Sequence, residues 1–313
     1  MKAETTAFVF PGQGSQTVGM GRELALAFPA AQAVFEESDR ILGFPLSKLA
    51  WEGSADELND TINTQPALLT HSAAVLKVFQ QLYPDFKPAF VAGHSMGELS
   101  ALLAAQTLDF REALILARTR GELMKQAGEI NPGGMAAILG LEIPSLEAIC
   151  SKASQPGEIV QVANDNCPGQ VVISGASTAL DRALSAAQAA GARRAVRLAV
   201  SIAAHSPLMA SAQEKFNQAV QKAGLTNPSI PLVGNVSAQP LRTAAEINLD
   251  LQGQLMNRVR WTESIQFMAQ NGIDTFIELG SGSVLVGLIK RIARDATGIN
   301  LDNPENFTKL NIE

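Results

Sequence analysis

A Gly-x-Ser-x-Gly pattern at residues 93–97 lies between a short apolar run and a run of helix-forming residues, within the segment Ala89–Leu99. In that position the pattern is typical of a nucleophile elbow, a sharp turn that exposes a reactive serine. The turn is strained and its neighbours approach it closely, so we expect a bulky residue to collide at Gly93 or Gly97. The pattern predicts Ser95 as a nucleophile, against the alternative of an ordinary glycine-rich turn.

The first 130 residues alternate between strand and helix patterns, as the chain of a parallel α/β sheet does. The apolar run Thr6–Phe10 predicts a buried strand, which Pro11 and the loop Gly12–Gln16 end. Residues 89–92 predict a second strand. Helical periodicity predicts helices from about Gly19 and over residues 65–82, 98–105 and 109–128.

From Gly134 the pattern becomes strand, helix, strand, strand, helix, strand, which is the signature of a ferredoxin-like unit. The first pattern then resumes. Within this unit, the predicted strands lie at 134–141, on both sides of the turn at 167–169, and at 194–200, and the predicted helices follow Pro144 and Ser177. After the unit, the predicted elements are helix 207–223, strand 230–234, helix 261–271, strand 272–278 and a helix to Arg294. We therefore expect an α/β fold: a hydrolase-like large subdomain with a parallel sheet (residues 1–129 and 204–313) and an inserted ferredoxin-like small subdomain (residues 130–203).

The composition argues against several classes of protein. Of the 313 residues, 46% are apolar and 17% charged, which predicts a sizeable core. A net charge of −6 without a long basic block argues against a nucleic-acid partner, and no apolar run is long enough for a membrane helix. Cys150 and Cys167 are too few for a disulfide framework or a zinc site, and no metal is expected. Without a signal-like N-terminus, we expect a cytoplasmic protein.

The last 15 residues or so are polar and aperiodic and contain Pro304. They predict a surface tail.

A serine nucleophile needs a base, and the sequence contains three histidines: His71, His94 and His205. His94 adjoins Ser95 on the turn, so the two side chains diverge, and His71 lies in an apolar helical segment. His205 follows the last predicted strand of the insertion and precedes Ser206 and Pro207, at a loop-to-helix junction that is expected to face a cleft. We therefore predict His205 as the base, with a buried or capping histidine as the alternative.

An oxyanion hole needs two backbone donors, and the first is expected from Met96, the residue after the nucleophile. The second candidate is Gln13, because flanking glycines let its N–H approach a ligand. The similar Gly280–Gly282 segment lacks a phosphate-loop pattern and is interpreted as packing. On the residues alone, Arg120 is interpreted as a solvated or salt-bridged helix residue.

Several further motifs occur in the order of one known family. The chain resembles bacterial malonyl-CoA:acyl carrier protein transacylases, and the acyltransferase domains of polyketide synthases are similar. The resemblance covers residues 6 to 295. It rests on FVFPGQGSQ from Phe8, QPALL from Gln65, GHSMGE from Gly93, RTRG from Arg118, PGQVVI from Pro168 and HSPLM from His205.

The resemblance implies a ping-pong acyl transfer, in which malonyl-CoA acylates Ser95 and the phosphopantetheine thiol of acyl carrier protein then takes the malonyl group. It implies His205 as base and then acid, oriented by a backbone carbonyl near Gln254 in place of a triad carboxylate. It also implies the amides of Gln13 and Met96 as the oxyanion hole and Arg120 as the ligand of the malonyl carboxylate, a role that suits a planar, permanently charged guanidinium. A coenzyme A thioester is then the substrate, and no cofactor is expected.

The chain departs from the family's pattern at Ile202–Ala204, before His205, where bacterial fatty-acid members commonly have Pro-Ser. These alanines are small, and one methyl group is worth only about 1–3 kcal/mol in such a pocket, so an α-methylated substrate stays a candidate. Met96 replaces the leucine of many relatives, which matters little because the backbone amide is the donor.

The carrier protein is acidic, so a basic patch is expected to guide docking. The first candidate is Lys290, Arg291 and Arg294; the second is Arg193, Arg194 and Arg197. Three alternative functions stay open: a serine esterase or thioesterase, a discrete polyketide acyltransferase for related extender units, and a non-catalytic scaffold. The presence of Ser95, His205 and Arg120 disfavours the scaffold.

Overall fold

The computed structural model describes residues 1–310. Its strands are β1 (Thr6–Phe10), β2 (Phe90–Gly93), β3 (Gly133–Leu139), β4 (Val160–Cys167), β5 (Gln170–Ala176), β6 (Arg194–Arg197), β7 (Leu232–Val233), β8 (Pro240–Leu241), β9 (Thr275–Leu279) and β10 (Thr297–Leu301). Its α-helices are α1 (Arg22–Ala27), α2 (Pro29–Leu42), α3 (Leu46–Glu52), α4 (Ala55–Asn59), α5 (Thr61–Leu82), α6 (Gly97–Ala104), α7 (Phe110–Ile130), α8 (Ile143–Ala153), α9 (Ser177–Ala189), α10 (Ala210–Ala223), α11 (Ala244–Leu251), α12 (Trp261–Gln270), α13 (Val284–Ile292) and α14 (Pro304–Thr308).

The larger sheet has the strand order β10-β9-β1-β2-β7-β8 and is parallel except for β8, which runs antiparallel to β7. Every residue of β1 is buried, because both faces of the sheet are covered, as parallel sheets require. Phe8 and Phe10 face the core that contains α5, whereas Ala7 and Val9 face the core that contains α12 and α13. The predicted α/β fold is confirmed, and within residues 1–310 the sheet departs from the predicted parallel arrangement at β8 alone.

The smaller sheet is antiparallel, with the order β4-β5-β3-β6. The helices α8 and α9 pack on one of its faces through a separate core that includes Leu146, Leu180 and Ile173. The opposite face, which carries Met135 and Val172, looks onto the larger sheet across a cleft. The strand β6 lies at the edge of this sheet and ends at Arg197, three residues before the predicted end.

Two long helices position residues beside the cleft. The helix α5 begins at Thr61, four residues before its predicted start, because Asp60 caps it by accepting a hydrogen bond from the Ile62 N–H. The helix α7 begins after Asp109, whose side chain accepts from the Glu112 N–H. The two helices pack against each other. Arg120 therefore lies in the middle of a long helix that packs against α5.

The prediction of a surface tail is wrong for the part of the tail that the structure describes, up to residue 310. The strand β10 pairs in parallel with β9 from Thr297 opposite Thr275 to Leu301 opposite Leu279. Asn303 caps α14, and Leu301 and Phe307 are buried. The sequence obscures this strand because only two of its five residues, Ile299 and Leu301, are apolar side chains of any size, which is too short a pattern to indicate a strand. Residues 311–313 of the predicted tail lie outside the described residues.

None of the helices between residues 1 and 310 combines the length and hydropathy that a membrane span requires.

Candidate active site

Ser95 lies on the turn between β2 and α6, with a φ of 53° in the left-handed region. A Cβ at Gly93 would lie 2.0 Å from the Gly97 carbonyl group, and one at Gly97 would lie 2.2 Å from the Phe10 carbonyl oxygen. Real Cβ atoms do not approach backbone this closely, so the two glycines are required for the turn. The expectation of collisions at both positions is confirmed.

Asn235, just after β7, binds the backbone of this turn through its side chain. Its Nδ2 donates to the Gly93 carbonyl at 2.7 Å, and its Oδ1 accepts from the Ser95 N–H at 2.7 Å. Both bonds stabilise a backbone conformation that a non-glycine residue adopts only at a cost. Sequence analysis missed Asn235, since 140 residues separate it from Ser95 and no spacing pattern links them.

His205 lies opposite Ser95, with 2.8 Å between its Nε2 and the Ser95 Oγ. Its Nδ1 lies 2.9 Å from the Gln254 carbonyl oxygen and 3.1 Å from that of Asn257. Because carbonyls only accept, Nδ1 carries the hydrogen and Nε2 is free to accept from the serine. Among the described residues, no carboxylate contacts the imidazole, and backbone carbonyls occupy the place of a triad acid.

The other two histidines do not contact Ser95 through their rings. His94 Nε2 lies 2.8 Å from the Asn166 Oδ1, and His71 is fully buried with its Nε2 3.1 Å from the Asp302 carbonyl. The geometry therefore agrees with the selection of His205 among the three.

Burial, and to a smaller extent the positive charge of Arg120, lowers the pKa of His205 to about 3. The imidazole is therefore neutral near pH 7, as a general base must be before it takes a proton. A negative charge that offset Arg120 would remove one of the causes of this low pKa.

The guanidinium of Arg120 is buried, with an exposed fraction of 1%, and reaches the serine. Its Nη2 donates to the Ser95 Oγ at 3.1 Å, its Nε to the Gln254 Oε1 at 3.0 Å and its Nη1 to the Gln65 Oε1 at 2.9 Å. Each of these acceptors is uncharged. Burial lowers the pKa of Arg120 to about 10, against the opposing effect of Glu98, so it is charged near pH 7. The site thus holds a buried cation that can receive an anion.

Sequence analysis missed Gln65 as a partner of Arg120, although it lies in one of the motifs. The interpretation of Arg120 as a solvated or salt-bridged residue, made from the residues alone, is wrong. Three hydrogen bonds to uncharged groups hold it inside the protein.

Gln13 and Met96 both lie beside Ser95. Gln13 is at the exposed end of the loop after β1 and lines the cleft, and Met96 directly precedes α6. Neither backbone N–H donates a hydrogen bond to another residue within the described part of the chain. Both amides are therefore available as donors near the nucleophile.

The cleft has a volume of 540 Å³ and lies between the carboxyl ends of the parallel strands and the open face of the smaller sheet. Ser95, Arg120 and His205 line one side. The apolar residues on the other side include Met135, Ala137, Val172, Ile202 and Ala204. Ala203 is fully buried, so of the two alanines before His205 only Ala204 reaches the cleft.

The remaining predicted residues lie outside this cluster. Lys290 and Arg294 are exposed at the end of α13, whereas Arg291 donates to the Pro168 carbonyl and to the Gln170 Oε1, which ties it to the smaller sheet. In the second basic patch, Arg197 is paired with Asp181. Cys150 and Cys167 are free thiols, and no group of metal-binding side chains is found in residues 1–310.

A model of one protein family, described as the acyl transferase domain, matches residues 7–302 of the chain. The chain belongs to the acyl transferase domain family. This acyl transferase is 45% identical over 301 residues to the malonyl CoA-acyl carrier protein transacylase of Bacillus subtilis, covering 96% of this chain and 94% of that protein.

Solved structures show the same similarity. An acyl carrier protein S-malonyltransferase from Vibrio cholerae superposes on this acyl transferase with a TM-score of 0.94 at 40% identity, covering 97% of this chain and 99% of that chain. A malonyl-transacylase solved in complex with its type II PKS acyl-carrier protein gives a TM-score of 0.94 at 41% identity, covering 97% and 98% of the two chains.

Proposed function

We propose that this acyl transferase moves a malonyl group from malonyl-CoA to the phosphopantetheine thiol of an acyl carrier protein through a Ser95 acyl-enzyme, and so supplies fatty-acid elongation. The observation that carries the proposal is the 3.1 Å contact between the Arg120 Nη2 and the Ser95 Oγ. In a malonyl thioester one methylene group separates the reacting carbonyl from the free carboxylate. A cation in contact with the nucleophile is therefore where that carboxylate would lie.

In the first half-reaction, Ser95 Oγ attacks the thioester carbonyl carbon while its proton passes to His205 Nε2. The carbonyl oxygen becomes an oxyanion, which the N–H groups of Gln13 and Met96 stabilise. Collapse of this intermediate breaks the carbon–sulfur bond, and the imidazolium returns the proton to the departing coenzyme A thiolate. The 2.8 Å distance between Oγ and Nε2 allows direct proton transfer.

In the second half-reaction, the phosphopantetheine thiol gives its proton to His205 and attacks the acyl-enzyme carbonyl. The same two amides stabilise the second oxyanion. The carbon–oxygen bond to Ser95 then breaks, and Oγ regains its proton from His205. Throughout both steps the carbonyls of Gln254 and Asn257 hold Nδ1–H, so the imidazole keeps one tautomer and one orientation.

Arg120 binds the malonyl carboxylate with its planar fork and selects the substrate. An acetyl group has no carboxylate to bind the guanidinium, so it lacks the contact that favours malonyl and should be a poorer substrate. The carboxylate also acts on the base: by offsetting the charge of Arg120, it removes one cause of the low pKa of His205. Substrate binding and basicity are therefore coupled.

The chain is proposed to fold as two subdomains, with residues 130–203 as a ferredoxin-like unit inserted into a hydrolase-like unit of residues 1–129 and 204–313. Support for the small unit is its antiparallel order β4-β5-β3-β6 with two helices on one face. Support for the large one is the serine elbow after a parallel strand. Side chains and backbone amides suffice for each step, so no cofactor is proposed. The proposed compartment is the cytoplasm.

Intact-mass spectrometry of the wild type and Ser95→Ala tests the function. Each protein is exposed briefly to a mixture of malonyl-, methylmalonyl- and acetyl-CoA, and then to phosphopantetheinylated carrier protein. We expect one malonyl adduct on the wild type alone, discharged onto the carrier. A methylmalonyl adduct would favour a polyketide acyltransferase, whereas equally fast loss of the adduct to water would favour a thioesterase.

A further inference from the structure

Glu98 is a buried carboxyl group in the first turn of α6, with an exposed fraction of 1%, and no step of the proposed reaction uses it. Its Oε1 accepts a hydrogen bond from the Asn235 N–H at 3.0 Å. Its Oε2 accepts one from the Gln254 Nε2 at 2.5 Å. The two oxygens thus contact two segments that reach the active site from opposite sides.

The first segment leads to the nucleophile. Glu98 fixes the main chain of Asn235, and the side chain of Asn235 binds the Gly93 carbonyl and the Ser95 N–H. The left-handed conformation of Ser95 therefore depends on an asparagine whose own backbone is bound to Glu98.

The second segment leads to the base and to the cation. The side chain of Gln254 donates to Glu98 and to the Ser95 carbonyl, and its Oε1 accepts from Arg120. The backbone carbonyl of the same residue accepts from His205 Nδ1. One residue held by Glu98 thus sets the positions of both Arg120 and His205.

The direction of these hydrogen bonds leaves Gln254 one orientation. Its amide oxygen faces the cation Arg120, and its NH2 group faces Glu98. An ionised carboxylate suits this place because both of its oxygens accept. Burial and the negative charge of Asp250 raise the pKa of Glu98 to about 8, while the bonds from Gln254 and Asn235 and the charge of Arg120 act in the opposite direction. The carboxylate form, whose two oxygens accept from these two donors, therefore predominates above about pH 8. Burying a carboxyl group costs free energy, and packing alone gives no reason for one at this position.

We propose that Glu98 is a positioning residue that keeps Ser95, His205 and Arg120 in their positions relative to one another by accepting hydrogen bonds from Asn235 and Gln254. The inference deepens the proposed function and rests on it. It also predicts that replacing an acceptor by a donor at this one position disturbs all three groups together.

Glu98→Gln makes that replacement with almost no change of shape. Its new NH2 group would face the Gln254 NH2, and a flip of Gln254 would place a donor against Arg120 instead. The matched control is Glu278→Gln: Glu278 is also fully buried and accepts from two backbone N–H groups, those of Leu285 and Val286, but lies outside the active site.

The readout is the first half-reaction, measured above about pH 8, where Glu98 is ionised, by rapid quench as the rate constant of Ser95 acylation and the half-saturating malonyl-CoA concentration. We expect Glu98→Gln to lower the rate constant by about 10²-fold, as small displacements of reacting groups do, and Glu278→Gln to leave it within about twofold. Glu98→Asp, which accepts only, is expected to retain more activity than Glu98→Gln. Equal rate constants for folded Glu98→Gln and Glu278→Gln would overturn the proposal.

A fluorophosphonate, which reacts with Ser95 without a carboxylate, separates this proposal from the function. If the wild type reacts with the fluorophosphonate but not with malonyl-CoA, the proposed function fails, while slower labelling of Glu98→Gln still supports Glu98 as a positioning residue. Should Glu98→Gln fail to fold, the deciding pair is Glu98→Asp and Glu278→Asp. Identical labelling rates in that pair would then refute the role of Glu98.

Discussion

The Nη2 of Arg120 donates a hydrogen bond to the Oγ of Ser95 across 3.1 Å, so the buried cation is in direct contact with the proposed nucleophile. Ser95 Oγ also lies 2.8 Å from the His205 Nε2, so the hydroxyl group contacts both the imidazole and the guanidinium. An acyl group with a terminal carboxylate can satisfy Arg120 while its carbonyl carbon lies at Oγ. In the proposed reaction, substrate selection and bond formation thus take place at neighbouring atoms.

Replacing Arg120 by Ala is expected to change which acyl group is accepted. Loss of a bidentate, charge-assisted contact in a buried site should slow acylation by malonyl-CoA by about 10²–10³-fold, whereas acylation by acetyl-CoA, which never makes that contact, should change far less. Competition between the two thioesters, read by intact mass, measures the ratio. An unchanged ratio would remove Arg120 from substrate selection. Arg120→Lys serves as the control that keeps the charge without the fork.

The imidazole of His205 should stay neutral in mildly acidic solution. Burial lowers the pKa of all three histidines, and that of His205 to about 3. A lowered pKa keeps the unprotonated form down to lower pH, so we expect His205 not to titrate between about pH 8 and pH 5, where a free histidine would. Carbon–proton correlation NMR of the His205 ring measures this. Malonate, by offsetting Arg120, should raise the pKa of His205, and a His205 titration near pH 6.5 in the free protein would contradict the prediction.

A methyl group at residue 97 should be far more damaging than one in an open helix. In Gly97→Ala the new Cβ would lie 2.2 Å from the Phe10 carbonyl oxygen, so we expect a loss on the order of 3–5 kcal/mol in the free energy of unfolding. A Cβ at Gly287, within α13, would meet no heavy atom within 4 Å outside its own stretch of helix. Gly287→Ala should stabilise by up to about 1 kcal/mol, since alanine favours helices. Urea unfolding of both variants provides the comparison, and equal stabilities would disprove the steric account of the elbow.

Glu278→Gln should change how stability depends on pH. Burial raises the pKa of Glu278 from 4.5 to about 7. Between these values the folded protein binds more protons at this residue than the unfolded chain, so its contribution to stability falls as pH rises from about 4.5 to about 7. Glu278→Gln has no carboxyl group to ionise and so does not lose this stability. The difference between its Tm and that of the wild type should therefore rise between pH 5 and pH 8. A pH-independent Tm difference would show that Glu278 does not titrate there.

Carrier docking is best tested at Lys290 and Arg294, because Arg291 also holds Pro168 and Gln170 and its reversal would disturb the cleft. Reversing both charges to Glu should raise the KM for carrier protein by roughly two- to tenfold and leave the KM for malonyl-CoA unchanged. The same reversal at Arg193 and Arg194 tests the second patch. Equal effects on both substrates would argue against docking at α13.

The sequence could predict the groups whose identity or spacing is distinctive. The sequence predicts Ser95 because the elbow constrains a run of five residues, and it predicts His205 because three histidines allow elimination. The structure places the two side chains 2.8 Å apart, although 110 residues separate them. Asn235 and the role of Gln65 were not predicted. Their amides act through single long-range contacts, and asparagine and glutamine occur too often for one position to stand out.

The fold shows the same limit. Buried strands such as β1 were predicted because both of their faces are apolar. The strand β10 was missed because it lies at the edge of the sheet, where a strand needs few apolar residues and the pairing with β9 comes from backbone groups. Backbone pairing leaves no mark in the sequence.

The position of β10 also has a consequence for biosynthesis. It is translated after every other described strand, yet it covers the edge of β9, which pairs with the central strand β1. Until then, the nascent chain carries an open row of backbone donors and acceptors that a neighbouring nascent chain could bind. The residues around Ser95 emerge from the ribosome long before that edge is closed. Protection from aggregation during synthesis therefore depends on β10, the last strand within residues 1–310, which is made long after the segment that carries Ser95.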